Sequence, residues 1–360
     1  MKYFKYLCIA SLCLVLINCS SNDASDTGPS SGSDDDGSNP SSPWLIPVNS
    51  IVDGGPGKDG IPSVDNPVFI DANSVNFLSD DDLVVGIKNG DVVKAYPHYV
   101  LDWHEIVNDV VDTENITLSY CPLTGTAFAW KSEVANSFST FGVSGLLYNA
   151  NLILYDRATD SNWSQILQQC VNGESIGDKP ENFMVIETNW KTWKDSFPNS
   201  LVLTEDTGFS KPYGTYPYGP YKTNHDFFIF NPEVLNSALP NKERVLAIID
   251  NTQSKVYRLT DFTNGNVVRD TFFDTNYLIV GNEDLVLAFI MNGTHSNLNF
   301  TYDFENSESF FKDDEGNKWN MFGEAIEGPR TGQKLEKSNS VTSMWFAIAA
   351  FFPNPDIYSE

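Results

Sequence analysis

Short apolar runs separated by turn residues recur along most of this chain. Residues 83–87 and 92–96 are two such runs, and Asn89-Gly90 between them is the dipeptide most typical of a two-residue β-hairpin turn. Further runs of strand type cover residues 116–120, 126–130, 139–143, 152–155 and 201–204. This spacing predicts a series of short antiparallel strands joined by tight turns.

Helical patterns are few and short. Thr188-Asn189 can cap a helix over residues 190–197 that Pro198 ends, and residues 343–351 predict one more helix. We therefore predict an α+β, strand-dominated fold. Its antiparallel sheets would form an internally duplicated, barrel-like or sandwich-like unit with short helices.

The pattern of the first half of the chain is repeated in the second half. Tyr96 and Asp109 correspond to Tyr257 and Asp270, at an offset of 161 positions (257 − 96 and 270 − 109). Further matched pairs are Ala127 with Ala288, Phe128 with Phe289, Trp163 with Trp319, Gly173 with Gly328 and Trp193 with Trp345. Internal similarity of this kind indicates duplicated structure, so we predict that residues 83–198 and 245–353 are two copies of one fold.

Residues that only one copy has are candidates for function, because residues kept in both copies are explained by the fold. At the offset of 161, His104 corresponds to Gly265, Glu105 to Asn266 and Cys121 to Asn282. Only the first copy combines a cysteine with a histidine in this stretch.

Composition and repeats divide the chain into five predicted segments. They are a lipoprotein signal peptide (residues 1–19), a disordered acidic Ser/Asp/Gly tether (20–43), a first copy with a glycine-rich extension (44–205), a Tyr/Pro/Gly-rich connection (206–242) and a second, degenerate copy (243–360). The part from about residue 44 onward is long enough to bury a large core.

The N-terminus has the features of a bacterial lipoprotein signal. Lys2 and Lys5 precede an apolar run over residues 7–17 that is too short to span a bilayer. The run ends at Asn18-Cys19, which resembles a lipobox in which Cys19 is lipidated. We therefore expect a protein of the cell envelope that a lipid holds to the membrane. More specifically, we expect it in the outer membrane and exposed at the cell surface. An ordinary cleaved signal with a chance cysteine is the alternative.

The mature chain is strongly acidic. Without Lys2 and Lys5 it has 20 basic residues (22 − 2) and 48 acidic residues, a net charge of −28. Such a charge repels nucleic acid phosphates, so we expect no nucleic acid partner. The charge would suit cationic ligands, although solubility alone is the simpler explanation.

Two cysteines remain in the globular part, Cys121 and Cys170. An oxidising compartment would permit a disulfide between them. However, Cys170 lies where the second copy has Ala325, which favours a small buried residue at this position. Both interpretations stay open.

Several motifs of the first half resemble those of the DUF3179 family. They are the glycine-rich stretch 54–67, Trp103-His104-Glu105 with residues 106–109, Tyr120-Cys121-Pro122-Leu123-Thr124-Gly125, residues 141–145, and Asp156-Arg157 followed by Trp163. The resemblance covers most of residues 44–355 and implies a shared fold, but the family has no assigned activity. The family often has Cys-Pro-Leu-Cys-Gly where this chain has Thr124, which argues against a Cys-x-x-Cys redox or metal site here.

Cys121 and His104 are the sharpest candidates for chemistry. A thiolate and an imidazole can bind copper or zinc, or act as a nucleophile and its base. We place His104 at the start of one strand and Cys121 at the end of another, so that both could line one pocket. Glu105 or Asp109 would lie behind them, at the distance of residues that orient metal ligands through hydrogen bonds. The alternative is a buried cysteine packed as a small hydrophobic residue and a histidine that is hydrogen-bonded at a strand end.

Other features have a functional and a structural interpretation each. Lys58, in the glycine-rich loop, could bind an anion, although a loop that covers the first copy is the simpler interpretation. Acidic loops before Trp163 and Trp319 could bind calcium, but their presence in both copies favours turns that position the tryptophans. The tyrosines of the connection could form a sugar- or peptide-binding rim, and we favour packing over a seam; they are Tyr213, Tyr216, Tyr218 and Tyr221. Three histidines lack metal-ligand spacing and are interpreted as ordinary residues: His98, His225 and His295.

We therefore expect a lipid-anchored extracytoplasmic protein that binds a metal or a small ligand at a Cys/His site in its first copy. A structural or interaction module of the cell envelope without an active site is one alternative. A thiol-dependent enzyme that uses Cys121 is another. The sequence identifies neither a substrate nor a protein partner.

Overall fold

The structure is a computed structural model that describes residues 43–359. The predicted signal peptide with Cys19, and nearly all of the predicted tether, lie outside the described residues. Within the described part of the chain, no helix is both long enough and apolar enough to cross a membrane.

Short strands make up most of the regular structure. The strands of the first half are β1 (Ile51–Asp53), β2 (Phe69–Asp71), β3 (Leu83–Asn89), β4 (Val92–Pro97), β5 (Ile106–Val111), β6 (Glu114–Cys121), β7 (Thr126–Lys131), β8 (Glu133–Val134), β9 (Ser137–Phe138), β10 (Phe141–Tyr148), β11 (Asn151–Asp156), β12 (Asn162–Ser164), β13 (Gln169–Asn172), β14 (Asn182–Phe183), β15 (Val185–Asn189) and β16 (Leu201–Leu203). Those of the second half are β17 (Arg244–Asp250), β18 (Gln253–Arg258), β19 (Asn266–Phe272), β20 (Thr275–Gly281), β21 (Val286–Ile290), β22 (Phe300–Tyr302), β23 (Phe311–Asp313), β24 (Lys318–Trp319), β25 (Ala325–Glu327), β26 (Glu336–Lys337), β27 (Ser340–Met344) and β28 (Asp356–Ile357).

Helices are short, as the sequence predicts. The α-helices of the described residues are α1 (His98–His104), α2 (Trp190–Ser196) and α3 (Trp345–Phe351). Four 3-10 turns cover Val48–Ser50, Ala72–Ser74, Leu259–Phe262 and Gly293–His295. The predicted cap of α2 is present, because the Asn189 side chain accepts a hydrogen bond from Thr192 N at 2.8 Å.

The first hairpin of each copy turns through a residue with positive φ. Strands β3 and β4 pair as far as Asn89 with Val92, so the turn lies at Gly90-Asp91, one residue later than predicted, with φ 54° at Gly90. In the second copy β17 and β18 turn through Asn251, with φ 53°. Left-handed residues in this place give two-residue turns the twist that antiparallel strands need.

Three sheets of the first copy have counterparts of the same strand order in the second copy. The order β15-β3-β4-β16 corresponds to β27-β17-β18-β28, and in both the last strand runs parallel to its neighbour. The order β14-β7-β6-β5 corresponds to β26-β21-β20-β19, and β10-β11-β12-β13 corresponds to β22-β23-β24-β25. The predicted duplication is therefore confirmed. As described, these sheets are open, so the barrel-like alternative is wrong.

Each copy packs its final helix against the other copy. In the first copy, α2 places Trp193 edge-on to Phe322 of the second copy, with 6.3 Å between ring centres. In return, α3 of the second copy places Phe351 edge-on to Tyr148 of the first copy, at 5.2 Å. Since burial of apolar surface dominates folding free energy, neither copy would complete its core alone. Residues 43–359 accordingly form one compact unit.

The two final helices also correct one predicted match. Both begin with tryptophan and are followed by Phe-Pro, at a common offset of 155 positions (345 − 190 and 352 − 197). The counterpart of Trp345 is therefore Trp190. The predicted match of Trp345 with Trp193 is wrong, because sequence similarity alone did not fix where each helix begins.

Candidate functional site

One buried polar cluster is the same in both copies. In the first copy the carboxylate of Asp109 accepts hydrogen bonds from Lys94 Nζ at 3.0 and 2.8 Å and from the Tyr96 hydroxyl at 2.7 Å. The second copy repeats the cluster at the offset of 161 with Lys255, Tyr257 and Asp270. Because both copies keep it, the cluster belongs to the fold. Asp109 thus lies with Lys94 and not in an outer position around Cys121 and His104.

His104 is the last residue of α1, and not the first residue of a strand as predicted. Its ring is fully buried, with Nδ1 donating to the Pro62 carbonyl oxygen at 2.7 Å and Nε2 accepting from the Tyr213 hydroxyl at 2.6 Å. Burial lowers the pKa of His104, which favours the neutral ring. With both nitrogens occupied, the imidazole has no free position for a metal ion or for the proton of Cys121.

Cys121 is the last residue of β6 and is almost completely buried. Its Sγ lies 3.8 Å from the Ala150 carbonyl oxygen, and burial, together with the charge of Glu105, raises the pKa of the thiol to about 11. The thiol therefore stays protonated at neutral pH, which disfavours both metal binding and nucleophilic attack. Cys121 and Cys170 are free, so no disulfide joins them.

Glu105, rather than His104, lies close enough to Cys121 to influence its pKa. Glu105 follows α1 with φ 59°, a conformation that is uncommon outside glycine, and its carboxyl accepts a hydrogen bond from the Tyr218 hydroxyl at 3.2 Å. Burial raises the pKa of Glu105 to about 8, so the carboxyl is largely protonated at neutral pH. Among residues 43–359, no three His, Cys, Asp or Glu side chains are grouped to hold a metal ion, and the predicted copper or zinc site has no support.

Lys58 contacts β11 and the turn that follows it. Its ammonium forms an ion pair with Asp160 and lies 4.0 Å from the centre of the Tyr155 ring. The loop lies beside β10, because Gly54 N donates a hydrogen bond to the Gly145 carbonyl oxygen at 2.8 Å. These contacts support the interpretation as a loop that covers the first copy.

The acidic loops position tryptophans in both copies. The indole N–H of Trp163 donates to Asp156 Oδ2, and that of Trp319 donates to Asp313 Oδ2, each at 2.9 Å. The same carboxylates accept backbone N–H groups of their own turns. Because the turns themselves use these oxygens, the geometry supports tryptophan positioning and not calcium binding.

The tyrosines of the connection pack onto the first copy. The Tyr216 hydroxyl donates to the Pro122 carbonyl oxygen at 3.2 Å, the Tyr218 hydroxyl donates to Glu105, and Tyr221 is fully buried. These contacts support the interpretation of the connection as packing over a seam.

His98 lies in an unusual environment, although it has no metal-ligand spacing in the sequence. It begins α1, only 5% of its surface is exposed, and neither ring nitrogen has a hydrogen-bond partner among residues 43–359. Its Nε2 lies 3.4 Å from Oε2 of Glu187, which pairs through Oε1 with Arg244. Its ring centre lies 4.2 Å from that of Tyr120. A buried polar group without partners is costly and calls for an explanation.

The second copy lacks the ionisable residues of this region. At the offset of 161, His98 corresponds to Leu259 and Asp102 to Thr263. Glu187 pairs with Val85 while Thr342 pairs with Leu246, and 246 − 85 is again 161, so Glu187 corresponds to Thr342. Extending the comparison of copies to every polar position would have selected His98 and Asp102 from the sequence.

His98 lines a cleft of about 260 Å³ between α1 and the connection. Tyr99, Asp102, Tyr216 and Lys222 also line it. Lys222 Nζ lies 3.2 Å from both carboxylate oxygens of Asp102, and burial nevertheless raises the pKa of this carboxyl. The cleft therefore combines an imidazole whose Nδ1 lacks a partner among the described residues, an ion pair and two aromatic walls.

A second cavity, of about 310 Å³, lies between the two copies. Its walls are mixed, with Phe128 of the first copy and Leu246 and Leu287 of the second beside polar residues such as Asn182 and Lys337. Glu187 reaches this cavity, whereas His98 belongs to the cleft alone. The contact between Glu187 and His98 therefore lies between the cleft and the cavity.

The chain belongs to the DUF3179 family. The family model, described as "Protein of unknown function (DUF3179)", matches residues 58–355, which confirms the resemblance seen in the motifs. No curated protein and no solved structure matches the chain. Because the family description names no activity, function has to be argued from the geometry of the cleft.

Proposed function

We propose that the protein is a lipid-anchored protein of the cell envelope that binds a small polar ligand in the cleft at His98. The observation that carries this proposal is the buried imidazole of His98, whose Nδ1 lacks a hydrogen-bond partner within the described chain while its Nε2 faces Glu187 Oε2 at 3.4 Å. A ligand that pairs with this ring would restore hydrogen bonds that burial removes. The second copy folds with Leu259 in the same place, so the fold itself does not require the histidine.

The cleft supplies complementary groups around His98. The carboxylate of Asp102 accepts hydrogen bonds, the ammonium of Lys222 donates them, and Tyr99 and Tyr216 provide aromatic walls. Ligand pockets typically measure about 300–1,000 Å³, so a cleft of about 260 Å³ fits a small molecule.

Both alternatives are weaker. A thiol-dependent enzyme needs a thiolate, whereas Cys121 is buried and its pKa is raised to about 11. A module without any ligand would leave Nδ1 of the buried His98 ring without a hydrogen-bond partner among the described residues.

Histidine-selective NMR tests the proposal directly. The chain has only four histidines, so ¹⁵N-histidine labelling of the purified protein gives few signals, and His98→Leu assigns the one of interest. We expect at least one compound from a panel of small polar molecules to shift the His98 signals and to raise the melting temperature. His295, which is half-buried in the second copy and lies outside the cleft, serves as the internal control for non-specific effects.

His98→Leu is also the control variant for ligand binding, because it replaces His98 with the leucine that the second copy has at the corresponding position. It should stay folded and lose the ligand response. If no panel member shifts the His98 signals, or if every response persists in His98→Leu, the cleft is not the binding site.

The lipid anchor needs its own test. Cys19→Ser should release the protein from the membrane fraction, because the apolar run over residues 7–17 is too short to span a bilayer. Fractionation of cells that produce either form measures this. A variant that remains with the membrane after signal cleavage would contradict the proposed anchor.

A further inference from the structure

We infer that the ligand of the cleft is a small organic cation with a primary ammonium group, which takes the position that Lys222 Nζ holds between Asp102 and Tyr216. This inference rests on the proposed function and adds the chemical class of the ligand.

Lys222 marks a complete binding position for an ammonium group. Its Nζ lies 3.2 Å from both carboxylate oxygens of Asp102 and 4.1 Å from the centre of the Tyr216 ring. A carboxylate on one side and an aromatic face on the other are the two groups that attract an ammonium ion most strongly in proteins.

The ammonium group of Lys222 can leave its position between Asp102 and Tyr216. Asp102 is fixed in α1 and its side chain is 9% exposed, whereas the side chain of Lys222 is 31% exposed and belongs to the connection. Lys222 therefore reaches into the cleft from its rim, and its long, flexible stem lets the ammonium return to water. A ligand ammonium would replace that of Lys222 without any movement of the sheets.

The charge around the cleft favours a cation. Asp81 and Asp82 also line it, and neither forms an ion pair with a cationic side chain of the described residues. Once Lys222 has withdrawn, the lining carries three carboxylates, including Asp102, and no lysine or arginine. An anionic ligand would be repelled by this lining.

His98 gives the cleft one more hydrogen-bonding group. Its Nδ1 has no hydrogen-bond partner among the described residues, whereas its Nε2 faces Glu187 Oε2 at 3.4 Å, and a ring nitrogen without a proton accepts a hydrogen bond. An ammonium group carries three donors, so it can bind Asp102 and still donate to the imidazole. The second copy has Leu259 and Thr263 instead of His98 and Asp102, so we expect it not to bind the cation.

Calorimetry with three probes of similar shape tests the charge preference. n-Butylammonium, 1-butanol and butyrate are titrated into the purified protein at pH 8 and low ionic strength, where the alkylammonium is still charged. We expect butylammonium to bind at least about tenfold more tightly than either other probe, since only it gains both the ion pair and the aromatic contact.

Three variants identify the position. Lys222→Met removes the competing ammonium but keeps the stem, so butylammonium should bind about tenfold more tightly. Asp102→Asn and, independently, Tyr216→Leu should weaken it about tenfold while far-UV circular dichroism stays unchanged. Two variants guard against the case in which one of them fails to fold.

The outcomes separate this inference from the proposed function. Weaker binding of butylammonium to Lys222→Met would overturn the inference, because Lys222 would then hold the ligand instead of competing with it. Equal binding of the three probes would overturn it as well. If a neutral or anionic compound shifts the His98 signals while butylammonium does not, the cleft binds a ligand but the assigned class is wrong.

Discussion

The hairpin of each copy carries a buried lysine and tyrosine that contact an aspartate of the next long strand, Asp109 of β5 or Asp270 of β19, but the segment between the hairpin and that strand differs between the copies. In the first copy α1 presents His98 and Asp102 to a cleft under the connection. In the second copy a 3-10 turn, Leu259–Phe262, follows and places a leucine where His98 would be. The same sheets form around both segments, so the polar residues of α1 are not needed for folding.

This difference makes the second copy an internal control for the first. Contacts that occur in both copies, such as that between Trp163 and Asp156, should contribute to stability in both. Contacts that occur only in the first copy should contribute little to stability, or even reduce it, and their loss should weaken ligand binding. Four predictions test this division, in order of decreasing effect.

The largest effect is expected for the tryptophans that both copies keep. Trp163→Ala and Trp319→Ala should each reduce the free energy of unfolding by about 4 kcal/mol, because each removes a fully buried ring and leaves an aspartate without its indole partner. Urea denaturation measures both, with Phe273→Ala, which is 55% exposed, as a control that should change little. A large loss in one copy and none in the other would break the structural equivalence.

Next in size are the aspartates of the shared cluster. Asp109→Ala should cost about 3 kcal/mol, because it leaves Lys94, with a 9% exposed side chain, without its carboxylate. Asp270→Ala should cost only about 1 kcal/mol, since Lys255 also pairs with Asp356 and Asp270 is more exposed. Denaturation curves of the two variants give the difference. Equal losses would show that burial of the first cluster has no effect on stability.

Much of the fold could be predicted, because its signals are local. Strand length, hairpin turns and the positions of large aromatic residues repeat along the chain. The match of Cys170 with Ala325 illustrates this: Cys170 pairs with Trp163 across one ladder, and Ala325 pairs with Trp319 across the equivalent ladder. The exchange of final helices between the copies was not predictable, since each pattern shows an apolar face but not what covers it.

The site was far less predictable, because its residues meet only in three dimensions. His98 comes from α1, Glu187 from β15, Lys222 from the connection and Arg244 from the second copy. No spacing in the sequence brings them together. The orientation of the Glu105 side chain depends on the positive φ of Glu105 itself at the end of α1. The apolar pattern of this segment does not predict that backbone conformation.

The third prediction concerns pH and Glu105, which the second copy replaces with Asn266. Burial raises the pKa of Glu105 from its ordinary value of 4.5 to about 8, so the folded state holds a proton that the unfolded state releases. The resulting stability is fully present below pH 4.5 and is lost as the pH rises through 8, by about 2 kcal/mol between pH 6 and pH 8. Glu105→Gln should remove this dependence, whereas Asn266→Gln should leave it in place. An unchanged pH profile of unfolding in Glu105→Gln would assign the dependence to another group.

The smallest effect on stability is expected for His98→Leu, which makes the first copy resemble the second. The variant loses a ring contact with Tyr120 and the 3.4 Å contact with Glu187, which keeps its ion pair with Arg244. It also removes a buried imidazole whose Nδ1 has no hydrogen-bond partner among the described residues, so these changes should offset each other to within about 1 kcal/mol. His104→Leu is the matched control, because His104 is equally buried but donates to Pro62 and accepts from Tyr213; its loss should cost about 2 kcal/mol. Urea denaturation at pH 7 compares the two variants. If His98→Leu proved as destabilising as His104→Leu, His98 would be a structural residue, and the difference between the copies would no longer point to a ligand.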